Sequence, residues 1–449
     1  IRRDQIRKLE RANVRTLRDL ATLPAERRPA DLRQQTFDKL RAQAAMQLRG
    51  REAGKPLAEG ITWPDNELRG LKRLPAPDTG DVYFDMEGDP HVEGGLEYLF
   101  GVVTRERGKL RFEKWWAHTR EQERVKFEEF MDWLTARLEK HPAAHVYHYA
   151  SYEPTALKRL ASLHATREEF LDTLLRGKKL VDVFATTREA FRVSTASYGL
   201  KHVEALYGRT RAGAVQTAGQ SVVEYEKYLE THDAALLEKI ADYNRDDCES
   251  LAQLHQWLLA QRPRELPWFN DADPADEPPK PALSAARIAE DAETERVRLR
   301  LLAGEPDPTR ELVSYLLDFH RRADKPQYWE MFDRQKKEYE ELIDDTEAIA
   351  GLKLVGQAPG KKLPRYVYEY PEQDFKLRAG DQCCRLDNLE AVTIESIDED
   401  NRRIVLYGGR LGPNPPMELN IGAGRPHESK VLREAVRRYG AASADGADR

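Results

Sequence analysis

No stretch of this 449-residue chain approaches the roughly 20 consecutive apolar residues of a membrane span. With 33% charged and 40% hydrophobic residues, it reads as a soluble globular chain with room for about two to four domains and no membrane partner. Cysteine is scarce. Cys248, Cys383 and Cys384 show no zinc-type spacing, and so low and odd a count fits a reducing cytoplasm, the expected location. The eleven histidines do not fall in ligand spacing, and no Ser/His/Asp or Cys/His arrangement stands out. No signal peptide is visible, and a start at Ile1 fits a piece of something longer. A net charge of −6 does not advertise nucleic-acid binding, but residues 1–79 hold 18 Lys/Arg against 11 Asp/Glu. That local excess is either a mild basic footprint or ordinary helix-surface charge. Gly356-Gln-Ala-Pro-Gly360-Lys361-Lys362 has the look of a phosphate-binding loop. It is one residue short between its glycines, however, and carries Lys362 where a Ser or Thr should bind Mg²⁺, so no ATPase is expected here.

What the chain does have is Asp81-Val-Tyr-Phe-Asp85-Met-Glu87-Gly-Asp89. Val82, Tyr83 and Phe84 favour a strand, and Gly80 and Gly88-Asp89-Pro90 bound it. Residues two apart on a strand share a face, so Asp85 and Glu87 project together. Two carboxylates that close repel unless a cation sits between them, and hard oxygen ligands suit Mg²⁺ or Mn²⁺. An exposed acidic strand end is the plainer reading of such a pair. Asp65/Glu67, Asp291/Glu293 and Asp345/Glu347 repeat the spacing in polar or helical contexts.

Around this strand the chain divides by pattern. Residues 1–53 read as short helices, with Leu9, Val14, Leu17 and Leu20 and then Phe37, Leu40, Ala44 and Leu48 at helical spacing. Residues 54–80, rich in proline, read as an extended connector. Residues 81–262 form an α/β unit, in which 97–103 and 110–116 make a hairpin around Arg107-Gly108. A helix over 120–139, a fourth strand over 144–149 and then helices to Gln261 follow. Residues 263–286 read as a linker, Pro/Asp/Ala-rich from 271, and 287–350 as a charged helical arm broken at Pro326. Residues 351–425 alternate as short strands of a small β-barrel, a class that either binds nucleic acid or acts as a spacer. Residues 426–449 read as a terminal helix and a tail, disordered from Ala441.

Three strands, a helix, a fourth strand and further helices is the element order of the ribonuclease H-like fold. In such a sheet Glu153, where the fourth strand passes into a helix, lies beside the end of the first strand. It is therefore a third candidate acid, although a glutamate there also suits a helix dipole. Tyr243 and Asp247, four apart on the last helix, share one face, and Asp246 points elsewhere.

Asp85-x-Glu87, an acid after the fourth strand and Tyr243-x-x-x-Asp247 resemble the three motifs of the DEDD superfamily of 3′-5′ exonucleases, in its tyrosine-bearing branch. The segments 180–184 and 197–208 are similar to its intervening segments. Tyr83–Pro90 with Tyr149–Leu157 resembles more narrowly the middle region of bacterial RecB-like putative nucleases. In those proteins a helicase follows, which here would lie beyond residue 449. The resemblance implies a nuclease acting on DNA rather than RNA through two Mg²⁺ or Mn²⁺ ions about 3.5–4 Å apart. Asp85, Glu87, Asp247 and Glu153 would be the metal-site acids, with Tyr243 positioning the attacking water. The family supplies Asp where Glu153 stands, so Asp182 is the fallback for the fourth acid. The alternatives are a non-catalytic nucleic-acid-binding scaffold on a degenerate ribonuclease H-like domain and, third, a branched- or hybrid-substrate endonuclease. The Tyr243/Asp247 pair argues against the last.

Overall fold

The computed structural model describes residues 1–64, 67–211, 217–269, 285–359, 364–408, 411–426 and 429–446. Most of the expected linker and of the glycine-lysine segment at 360–363 therefore lies outside the described residues. Contacts divide the chain into two compact units, Ile1–Pro278 and Pro279–Arg449.

The first unit opens with helices α1 (Arg3–Arg11), α2 (Leu17–Thr22) and α3 (Gln34–Ala53). Leu9, Val14, Leu20, Leu32, Phe37 and Ala44 form their own small core. A short strand β1 (Ala58–Gly60) leads on to the central strand β2 (Val82–Asp89). There follow β3 (Leu96–Glu106), β4 (Lys109–Trp116), α4 (Arg120–Lys140), β5 (Val146–His148), α5 (Tyr152–His164) and α6 (Glu168–Arg176). After these come β6 (Leu180–Asp182), α7 (Val183–Ala190), β7 (Phe191–Val193), α8 (Leu200–Tyr207), α9 (Ala218–Thr231) and α10 (Ala234–Gln261). Arg107 and Gly108 both have positive φ, 49° and 81°, and so form the tight turn that joins β3 to β4.

The five-stranded sheet has the order β4-β3-β2-β5-β6, antiparallel on one side of β2 and parallel on the other. The alternation of β2 divides its side chains between two layers. Phe84 stacks on Phe130 of α4 at 4.6 Å, whereas Tyr83 turns to the opposite layer, its hydroxyl 3.0 Å from Nδ1 of His255 on α10. The strand β6 has no counterpart in the sequence pattern, since Leu180-Val-Asp182 is too short to show a periodicity that separates it from a helix. The stretch 54–80 is tied down rather than free. β1 pairs with β7, Trp63 Nε1 donates to the Glu189 carbonyl at 2.7 Å, and Arg73 forks onto the Glu189 carboxylate at 2.6 and 2.9 Å.

The second unit contains helices α11 (Ala285–Leu301), α12 (Pro308–Leu316), α13 (Phe319–Lys336) and α14 (Tyr339–Ile343). Strands β8 (Ala348–Ala358), β9 (Arg365–Glu369), β10 (Gln382–Arg385), β11 (Ala391–Asp398), β12 (Arg403–Tyr407) and β13 (Glu418–Ala423) close into a six-stranded barrel. Its core includes Tyr368, Ile394, Ile404, Leu406 and Ile421. Two expectations are corrected here. α13 runs through Pro326, because Trp329 and Met331 beyond the proline are buried and outweigh one lost backbone hydrogen bond. Of the expected tail, residues 447–449 lie outside the described residues, and 441–444 continue a helix, α15 (Lys430–Ala444). Its Gly440 sits so close to Leu317 that a Cβ would fall 2.9 Å away, and Ala441 and Ala444 pack on Val297, Leu301, Val313 and Leu317.

Candidate metal centre

β2 and α10 build the site between them. Asp85 pairs in register with Gly101 of β3, and a Cβ on Gly101 would fall 1.6 Å from Oδ1 of Asn244. That missing side chain lets α10 lie against the sheet, with the Cys248 thiol 3.5 Å from the Gly101 carbonyl oxygen. Asn244 is fully buried and donates from Nδ2 to Asp85 Oδ2 at 2.7 Å. At the end of β2 the register slips between Glu87 and Gly88, a bulge that re-aims the strand. A side chain on Gly88 would collide with Glu97 and Tyr152 at 2.4 and 2.6 Å.

Asp85, Glu87 and Asp247 each offer an oxygen within 4.8 Å of the other two. Burial pushes the Asp85 carboxyl far above its ordinary range, and the Asp247 charge pushes it further. Glu87 is driven the same way by burial and then by Asp85 and Asp247. Asp247 is also raised by burial, although Arg211, 2.6 Å from its Oδ1, opposes the shift. These acids fit a hard divalent cation. The donors are all carboxylate oxygens, they are crowded, and burial and mutual repulsion outweigh the cations Arg211 and Lys201 that partly offset Asp85 and Glu87.

Glu153 lies in the first turn of α5, is 3% exposed and faces Asp85, and burial and then the Asp85 charge push its carboxyl well above the usual range. Its Oε2 is buried with no hydrogen-bond partner among the described residues. Nδ1 of His148, 3.8 Å from that oxygen, instead bonds the Ala150 carbonyl at 2.7 Å. Ala150 holds φ at 71°, a left-handed conformation costly for alanine, in the turn just ahead of Glu153. Asp182 stands apart from the metal-type trio. Its Oδ1 accepts from the backbone N–H groups of Ala150 and Ala185, both at 3.1 Å, and so caps α7.

Tyr243 shares its helix face with Asp247 and hydrogen-bonds to it, while Lys201 Nζ donates to the Tyr243 hydroxyl at 2.8 Å. Burial and then the Asp247 charge push the Tyr243 phenol upward, so it stays protonated. Asp246 turns away to Arg209 at 2.9 Å. Sequence reasoning had not singled out Asn244, Lys201 or Arg211. For Asn244 a signal was present, since it lies three before Asp247 and four before Cys248, on one helix stripe.

Residues 82–259 match the family model described as RNase_H superfamily. This domain is ribonuclease H-like. Its central strand β2 carries two of the acids, Asp85 and Glu87, the helical N-terminal region precedes it, and the closed barrel belongs to the second unit. The family suggests a nuclease hydrolase that uses divalent metal and binds nucleic acid. No curated protein and no solved structure matches the chain. No described helix is long and apolar enough to cross a membrane.

Proposed function

We propose that the ribonuclease H-like domain hydrolyses phosphodiester bonds of DNA as a 3′-5′ exonuclease of the tyrosine-bearing DEDD type, within a larger nuclease-helicase of the cytoplasm. The observation that carries the reading is the convergence of Asp85, Glu87 and Asp247, three acids from two elements, within 4.8 Å. Asp85, Glu87 and Asp247, with Glu153 as the fourth acid, would hold the divalent ions, Mg²⁺ or Mn²⁺, two being the number proposed. Such ions, when bound, supply Lewis acidity and a more acidic water.

The chain's own groups do the rest. Asn244 fixes the Asp85 carboxylate so that its free lone pairs keep one direction. Tyr243, kept protonated and held by Lys201, is a hydrogen-bonding group that orients water rather than a base that takes its proton. Glu153, longer than the Asp of the family pattern by one methylene, reaches towards the Asp85 carboxyl and would be the fourth acid of the metal site.

The test is hydrolysis of end-labelled single- and double-stranded DNA and RNA with Mg²⁺ or Mn²⁺. Metal-dependent release of mononucleotides from the 3′ end of DNA is expected. Binding without cleavage of any substrate would replace this reading with the non-catalytic scaffold.

A further inference from the structure

Beside the three acids lies a guanidinium whose hydrogen bonding is incomplete. The Arg211 side chain is only 9% exposed. Its Nε reaches both oxygens of Glu204 at 2.8 and 3.0 Å, and its Nη2 lies 2.5 Å from Glu204 Oε1 and 2.6 Å from Asp247 Oδ1. Glu204 is held in turn by Ser250, whose Oγ donates to Oε1 at 2.6 Å and meets the Tyr207 hydroxyl at 2.8 Å. The remaining nitrogen, Nη1, is buried and has no hydrogen-bond partner among the described residues.

A buried N–H without an acceptor is costly, and folded proteins rarely keep one without a reason. Neutralising Glu204 alone would need only the Nε–Nη2 edge. The second contact, from Nη2 to Asp247, brings the same rigid plane to the edge of the acid cluster. A group of clustered acids repels phosphate, and a fixed cation at its margin offsets that repulsion. The planar fork of arginine is matched to phosphate oxygens in a way an ammonium is not.

We propose that Arg211 binds the phosphate of the nucleic-acid substrate, with Nη1 donating to a non-bridging oxygen of the phosphodiester and Glu204 acting as the residue that positions it. This rests on the nuclease reading above. The full chain is tested by fluorescence anisotropy with a labelled oligothymidylate in Ca²⁺, which replaces Mg²⁺ to suppress turnover. A second oligothymidylate carries neutral methylphosphonates at both terminal linkages. Wild type is expected to prefer the all-phosphodiester strand by about tenfold to a hundredfold, and Arg211→Gln to bind both within about twofold. An Arg211→Gln variant that keeps the wild-type preference overturns the proposal.

Mn²⁺-dependent cleavage by the same wild-type preparation separates the two claims. Cleavage with the preference retained in Arg211→Gln removes Arg211 alone. Neither binding nor cleavage by wild type removes the nuclease reading and this proposal with it. Should Arg211→Gln fail to fold, Glu204→Gln/Arg211→Met deletes both charges of the buried pair together and carries the same comparison.

Discussion

The acids of the candidate metal centre and those on the outside of the barrel differ in what balances them. On the barrel, Glu395 takes the Arg365 guanidinium at 2.6 Å, Glu369 takes Arg403 at 2.9 Å, and Glu418 lies 3.6 Å from Lys353. Each charge has a neighbour of opposite sign and water close by. Glu87 and Glu153 are buried and Asp85 half-buried, the three are set against one another, and among the described residues Asp247 is the one of the four with a direct arginine. A fold that leaves its buried acids uncompensated retains a cost that a ligand can remove, whereas paired surface acids ask for nothing.

The comparison breaks most sharply in activity. Asp247→Asn should lower metal-dependent hydrolysis by at least about a hundredfold. Glu395→Gln on the barrel should leave it unchanged, both read from initial rates on the same labelled strand.

Stability should move in the opposite sense from activity. In a chelator at pH 7.5, Asp85→Asn should raise the unfolding free energy by about 1–3 kcal/mol, because one of the mutually repelling buried acids is gone. Denaturant melts with chelator and with Mn²⁺ check this, and the ion should favour wild type.

Gly101→Ala tests the close approach that makes the site. Its Cβ would overlap Asn244, so a loss of about 1–3 kcal/mol is expected, accompanied by a drop in activity that a distant core change of equal cost would not cause.

A buried acid away from the centre gives a pH signature. Burial pushes the Asp81 carboxyl up to about 6, against an ordinary 3.8. The folded state therefore binds the extra proton in this window, so the contribution is fully present below about 4 and is lost as pH rises through about 6. The change is at most about 3 kcal/mol. Asp81→Asn should flatten this part of the stability profile, while its side-chain oxygen can still accept from the Asp78 or His145 backbone N–H.

The smallest effect belongs to the barrel. Removing both members of the Arg365–Glu395 pair should cost under about 1 kcal/mol and weaken further in high salt.

How much of this was legible in the sequence follows from the range of the interactions. Period-2 alternation sufficed for Asp85 and Glu87, helical spacing for Tyr243 and Asp247, and turn chemistry for Arg107-Gly108. The tilt of β2 out of its bulge at Gly88 and the need for glycine at Gly101 depend on what another element brings to them, so no local pattern shows them. Lys201 and Arg211 come from chain outside α10 and meet its face only in the folded domain. The β1–β7 ribbon joins residues 133 positions apart at Glu59 and Arg192, beyond any window of periodicity. Helix propensity and buried partners overrode proline at Pro326 and the small residues after Ala441.

Calorimetric titration of Mn²⁺ into the metal-free protein at pH 7.5, with wild type beside Asp85→Asn and Asp247→Asn, tests the central claim most directly. Saturable binding with release of protons from the raised carboxyls, lost in both variants, is the predicted result. Binding that both variants retain, or no binding by wild type, would contradict the assignment of these three acids to a metal centre.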